Sequence, residues 1–229
     1  MDTDYTSAIL SSDYETALKA FFFNYSDSFE STDNGDERCI KAADIIIKHI
    51  SDMYMEDIID FIDDNDELIG TPDSKNIPQV SDINYVNTIL STVKTNPDGD
   101  YELFGYYYKK DAKEGAHRKY GENHYKTASL MGLVTRKAPF RVTYFGESYM
   151  KLSDKEKLLL RPKLYMKIPI IQKVMSGSLY GNAYPTELMR TCLSESTVMR
   201  RRSNVRTMVK EICELCNDSI NLFDKFIWE

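Results

Sequence analysis

The sequence predicts a mainly α chain with minor β content, on three observations. Apolar residues recur at helical spacing, Gly/Pro/Asp/Asn signals cut the periodic stretches into short elements, and strand-like pattern is confined to short stretches. Hydrophobic residues make up 42% of the chain and aromatics 12%, enough for a packed core.

The first helix is expected from about Tyr14 to Tyr25, with Leu18, Phe21 and Phe22 inward. After the loop Ser31 to Asp36, apolar residues at Ile40, Ala43, Ile47, Ile50 and Tyr54 step by three and four, the mark of an amphipathic helix. Glu56 to Glu67 holds seven acids in twelve residues and no base. Ile58, Ile59, Phe61 and Ile62 interleave them, so the stretch is the acidic outer face of a helix. Gly70-Thr71-Pro72-Asp73 breaks that helix, and Ser74 to Pro78 reads as a linker.

A second block starts near Asp82. Ile83, Val86, Ile89, Leu90 and Val93 have helical spacing, with Ser81 or Asp82 as N-cap. Thr95 to Asp100 is a turn, and Tyr101 to Tyr108 fits a strand or the start of a helix. Asp111 to Met131 predicts helix, in one or two pieces, closing at Gly132 as a left-handed terminator. Val134 to Tyr144 predicts two short strands around a basic, Pro-containing tip. Asp154 to Val174 predicts a helix or helix pair limited by Pro162 and Pro169, and Ser176-Gly177-Ser178 a loop. Pro185 to Cys192 predicts a short helix and Leu193-Ser194-Glu195 a tight turn. Ser196 or Thr197 then caps a helix reaching about Cys216, and Phe223 to Trp228 is a strand-like apolar end. These signals divide the chain into an acidic helical region (1–75) and two further units (82–152 and 153–229).

Charge follows the same division. The whole chain carries −7, yet residues 1–100 hold 6 basic and 22 acidic side chains, a net of −16. Residues 101–229 hold 23 basic and 14 acidic, a net of +9, which points to an anionic partner for that half. No apolar run approaches the roughly 18 residues needed to cross a membrane. Asp2, Asp4 and Ser7 do not resemble the start of an export signal. Four cysteines are too few for a disulfide scaffold, so reduced thiols and a cytoplasmic location are expected.

Two constellations suit DNA. Arg118, Lys119, Asn123, His124 and Lys126 mix cations and amides on the first part of a helix whose end, Ala128 to Met131, turns apolar. A helix in a major groove needs that division, with Gly121 letting backbone approach a sugar-phosphate strand. The hairpin with Arg136, Lys137 and Arg141 would be the wing beside it. The second constellation, Pro185 to Arg206, has helix-turn-helix proportions. Its Val198, Val205, Met208 and Val209 face inward, while Arg200, Arg201, Arg202, Asn204 and Arg206 supply donors suited to phosphate or guanine. The bland alternatives are a solvated basic helix with an ordinary hairpin, and a basic helix paired with the acidic region.

Residues 82–228 resemble a winged-helix region of bacterial restriction-modification and related defence proteins. The resemblance rests on Gly121, on Ala128 to Val134 with its Met-Gly-Leu-Val ending, and on Thr143-Tyr144-Phe145-Gly146-Glu147-Ser148-Tyr149-Met150. It also rests on Ser196 to Arg206, similar to that family's Ser-Thr-x-x-Arg-Arg-x-Ser-Thr-Val-Arg helix. It implies winged-helix binding of double-stranded DNA by small units with hairpin wings. The acidic first part matches no pattern of that family.

Weaker patterns stand beside it. Pro97-Asp98 with Asp111-Ala112-Lys113 fits a loose nuclease pattern in which Asp98 and Asp111 hold Mg²⁺ and Lys113 orients water. Chance matches of this kind are expected among 36 acids. Cys213 and Cys216 have the spacing of half a zinc site, but fit core thiols better, and no metal site is expected. Tyr106, Tyr107, Tyr108, Tyr120 and Tyr125 among lysines suit either base stacking or a half-buried core. The expected function is therefore duplex-DNA binding, as a recognition or regulatory component without a cofactor. The alternatives are a protein-interaction module or homodimer in which Glu56 to Glu67 docks on the Arg-rich helix, and a Mg²⁺-dependent endonuclease.

Overall fold

The computed structural model describes residues 5–23, 36–80, 84–113 and 115–229. Among them the chain is mainly helical. Helices α1 (Tyr5–Leu10), α2 (Tyr14–Phe23), α3 (Glu37–Asp52) and α4 (Met55–Asp63) form the acidic region, followed by a short 3-10 turn, Asp66–Leu68. Next come α5 (Asn84–Thr95), α6 (Tyr101–Tyr108), α7 (Ala116–Leu130) and α8 (Tyr144–Lys151). The rest is α9 (Asp154–Tyr165), α10 (Pro169–Leu179), α11 (Pro185–Arg190), α12 (Glu195–Cys213) and α13 (Ser219–Asp224). The caps proposed at Ser81 and Asp82, the loop 31–35, and the last two residues of the first predicted helix lie outside the described residues.

Local chemistry accounts for most boundaries. The Asp36 carboxylate accepts from the Arg38 and Cys39 amides and starts α3. Ser153 and Glu156 close a reciprocal capping box at the start of α9. Pro169 and Pro185 open α10 and α11, where a missing amide costs nothing. Asp100 accepts from the Leu103 amide at 3.0 Å, so Tyr101–Tyr108 is a helix and not a strand. Gly132 takes φ +78° after α7, as its position predicts.

Several expectations are corrected. Ser176-Gly177-Ser178 lies inside α10, because Val174, Met175 and Ser178 bury one face and that packing outweighs the local loop signal. Thr143 caps a helix, α8, that the strand-like Val-Thr-Tyr run conceals. Pro162 sits within α9 without ending it; the helix runs on to Tyr165. The cap position of α12 is Ser194, and the helix ends at Cys213. The last apolar segment is helical through Asp224, after which Phe226 makes one parallel bridge with Ala183. The 134–142 hairpin is a single antiparallel bridge, Val134 to Val142, with no flanking strands and no sheet. Its tip is tied instead by Thr135, whose hydroxyl bonds the Lys137 and Pro139 carbonyls and the Arg141 amide. Those bonds take the place of a ladder that Pro139, lacking an amide proton, could not extend.

One apolar core runs from Ala8 to Phe226. Helix α3 sits centrally, packed on α1, α8 and α9. The buried Lys163 of α9 donates to the carbonyls of Ile50, Ser51 and Met53 at 3.1, 2.6 and 2.6 Å, closing the end of α3. Asp44 of α3 meets Ser148 and Lys151 of α8, a further direct contact between the acidic region and the basic half. Two helix triplets follow from packing: α5, α6 and α7 contact one another, and so do α10, α11 and α12.

Candidate nucleic-acid interface

In the first triplet, α6 and α7 cross at backbone contact. A Cβ added at Gly121 would lie 1.9 Å from the Tyr101 carbonyl oxygen, and one at Gly105 would lie 1.7 Å from that of His117. Gly121 therefore faces α6, not an external strand, which corrects its expected role. The crossing buries Gly121, His124, Tyr125, Thr127, Ala128 and Leu130. It leaves Arg118 and Lys119 exposed, with Glu122, Asn123 and Lys126 on the border.

The predicted residues divide accordingly. His124 is withdrawn from the surface: its Nδ1–H donates to the Tyr120 carbonyl at 2.7 Å and its ring lies 4.0 Å from that of Tyr108. Lys126 pairs with Glu122 at 2.5 Å, which lowers its reach for an external anion. Arg136 and Lys137 stand exposed at the hairpin tip. Arg141 instead donates to the Pro97 carbonyl, joining the hairpin to the turn after α5. The Tyr125 hydroxyl donates to the Thr135 carbonyl at 2.9 Å, so α7 and the hairpin keep a fixed relation.

In the second triplet most arginines are engaged within the protein. Arg201 donates to the carbonyls of Ser74 and Ile77 at 2.6 and 3.2 Å, and burial pushes its guanidinium down from the ordinary range. The 74–78 stretch is thereby anchored at its end, with Ile77 and Pro78 buried and Ser74 and Lys75 exposed. Arg202 donates to the Trp228 carbonyl at 2.9 Å. Arg200 lies exposed, folded back on the Ser196 carbonyl and Thr197 hydroxyl. Arg206 is exposed over the Phe223 ring, and Asn204 is half-buried. Arg190 and Glu195 pair at 2.9 Å across the turn. Among the described residues, no acid of Glu56 to Glu67 pairs with an arginine of α12. Asp63 accepts from Ser176 and Tyr180 instead, and Glu56 from the Asn217 amide.

Internal use thus removes much of the basic surplus from the surface. Arg161 pairs with Glu211 at 2.8 Å, Lys163 closes α3, and Lys167 donates to the Phe21 carbonyl. What remains most available is a patch at the start of α7 and the loop before it. Lys110 and Lys113 are exposed there beside Arg118 and Lys119, and no acid among the described residues pairs with them. The Lys109-Lys110 doublet is the sequence signal for this loop, and it lies outside any helical pattern.

The nuclease pattern does not close into a cluster. Asp98 sits exposed in the turn where the Gly99 amide bonds the Asn96 carbonyl at 2.9 Å, while Asp111 and Lys113 are exposed in the later loop. Among the described residues no three His, Cys, Asp or Glu side chains gather as metal ligands. Cys213 and Cys216 are buried thiols pushed up to about 12 by burial. Among the described residues no helix is long and apolar enough to cross a membrane. No protein-family profile, curated protein or solved structure matches the chain.

Proposed function

We propose that the chain binds double-stranded DNA, with α7 as the groove helix, the 109–113 loop and the 134–142 tip on phosphates, and α12 as a secondary surface. The observation that carries this reading is the exposed set Lys110, Lys113, Arg118, Lys119 and Lys137 on and beside one helix of a three-helix unit, none of them paired with an acid among the described residues. A helix followed by a tight basic hairpin is the arrangement in which a groove helix and wing act together. The resemblance to winged-helix regions of restriction and defence proteins supports a recognition or regulatory component of such a system.

The test is a gel shift of the full chain on random duplex at low salt. Retardation should fall steeply with added salt, each lost phosphate contact lowering the log–log slope by about 0.9. Arg118→Glu with Lys119→Glu should abolish it at unchanged stability. Absence of retardation by the wild-type protein would end the reading.

A further inference from the structure

Two tyrosines at the end of α6 are not used by a duplex reader. Tyr106 and Tyr107 are each 45% exposed, whereas Tyr125 of the same cluster is 1% exposed and belongs to the core. Their rings stand at 77° with centroids 5.8 Å apart, so their faces point in different directions. Tyr106 is braced from behind by His117 at 5.6 Å and 81°. His117 is in turn held by the Lys109 carbonyl at 3.0 Å and Glu102 at 3.6 Å. The aromatic surface is thus exposed and mechanically supported.

The chain that follows it is rich in positive charge. Residues 106–119 contain five bases and two acids, and Lys109, Lys110, Lys113 and Arg118 are exposed along that stretch. An exposed tyrosine face offers any nucleobase a stacking surface, and flanking cations hold the backbone that carries it. A fully paired duplex presents no free base face to such a platform. A strand that leaves the duplex does.

We infer that Tyr106 and Tyr107 stack on unpaired bases, so that the protein binds DNA with a single strand beside a duplex in preference to a blunt duplex. This rests on the duplex reading of α7. One stacked base adds on the order of tenfold in affinity.

The test is fluorescence anisotropy of the full chain with three labelled probes: a blunt duplex, the same duplex with an unpaired oligothymidine tail, and the tail alone. The tailed duplex should bind about tenfold tighter than the blunt one. Tyr106→Ala with Tyr107→Ala should remove that difference and leave blunt-duplex affinity unchanged. The corresponding Phe pair should keep it, since stacking needs the ring and not the hydroxyl. Because both side chains are exposed, a melting curve confirms that each variant folds, and Tyr107→Ala alone should lose part of the preference. Equal binding of tailed and blunt probes by the wild type overturns the inference while sparing the duplex reading. So does a preference that survives the alanine pair. Binding of the tail with none of the blunt duplex overturns the duplex reading and supports stacking, and binding of neither DNA overturns both.

Discussion

Replacing Gly121 by alanine separates a packing role from a DNA-facing one. The added Cβ would sit 1.9 Å from the Tyr101 carbonyl oxygen and 2.7 Å from the Gly105 nitrogen. To reach even 3.0 Å, α6 and α7 must part by about 1.1 Å along that contact. Both obstacles are backbone, so no side chain can swing aside. Overpacking of this kind costs ~1–3 kcal/mol, and the contact here belongs at the upper end. Alanine's better helix propensity returns up to ~1 kcal/mol. The net loss is about 2 kcal/mol, and Tm should fall by roughly 4–8 °C for a chain of this size. Thermal melting followed by far-UV circular dichroism reads it. An unchanged or raised Tm, together with lost DNA binding, would refute the packing argument and return Gly121 to the interface.

Three further outcomes follow from the same geometry. Lys163→Met leaves three carbonyls at the end of α3 without their donor; a loss of ~2 kcal/mol, offset in part by relief of the buried charge, should appear in urea titration with faster amide exchange in that last turn. Arg201→Gln should raise proteolysis within residues 70–78 several-fold and leave duplex affinity unchanged, because its guanidinium holds that stretch and not an external ligand. Burial, with the Arg136 charge nearby, holds the Lys167 ammonium down to about 7 against an ordinary 10.5. The unfolded chain binds more protons between those values, so this residue makes stability rise with pH across that window. Lys167→Met should flatten the difference between urea midpoints measured at pH 6.5 and pH 9 relative to wild type; an unchanged difference would contradict the burial of its charge.

The helices were legible where their signals are local. Pro185 starts a helix as its chemistry predicts, and Gly132 ends one in the left-handed conformation. Ala43, Ile47 and Ile50 bury the face that periodicity assigns, whereas Ile40 and Tyr54 at its two ends are exposed. What stayed hidden depends on partners far along the chain. Three consecutive arginines advance about 100° each around a helix, so they cannot share one direction. Which of them turn inward is decided by carbonyls at Ser74, Ile77 and Trp228, and nothing near Arg201 or Arg202 announces those acceptors. Gly121 misled for a related reason: a glycine on a helix marks close approach, and only its tertiary neighbour tells what approaches. His124 reads as a base contact in a basic helix, yet the Tyr120 carbonyl and Tyr108 ring take it inside.

The glycine crossing bears on the proposed nucleic-acid binding through its rigidity. With backbone touching backbone at Gly105 and Gly121, α6 and α7 have no side-chain layer between them to compress or slide. The tyrosine pair at the end of one helix and the arginine-lysine pair at the start of the other are therefore fixed marks on a single rigid gauge. A nucleic acid engaging both must carry its unpaired base at one set number of nucleotides from the groove that α7 occupies. Tail position along a series of tailed duplexes should then show a sharp optimum, with no plateau on either side.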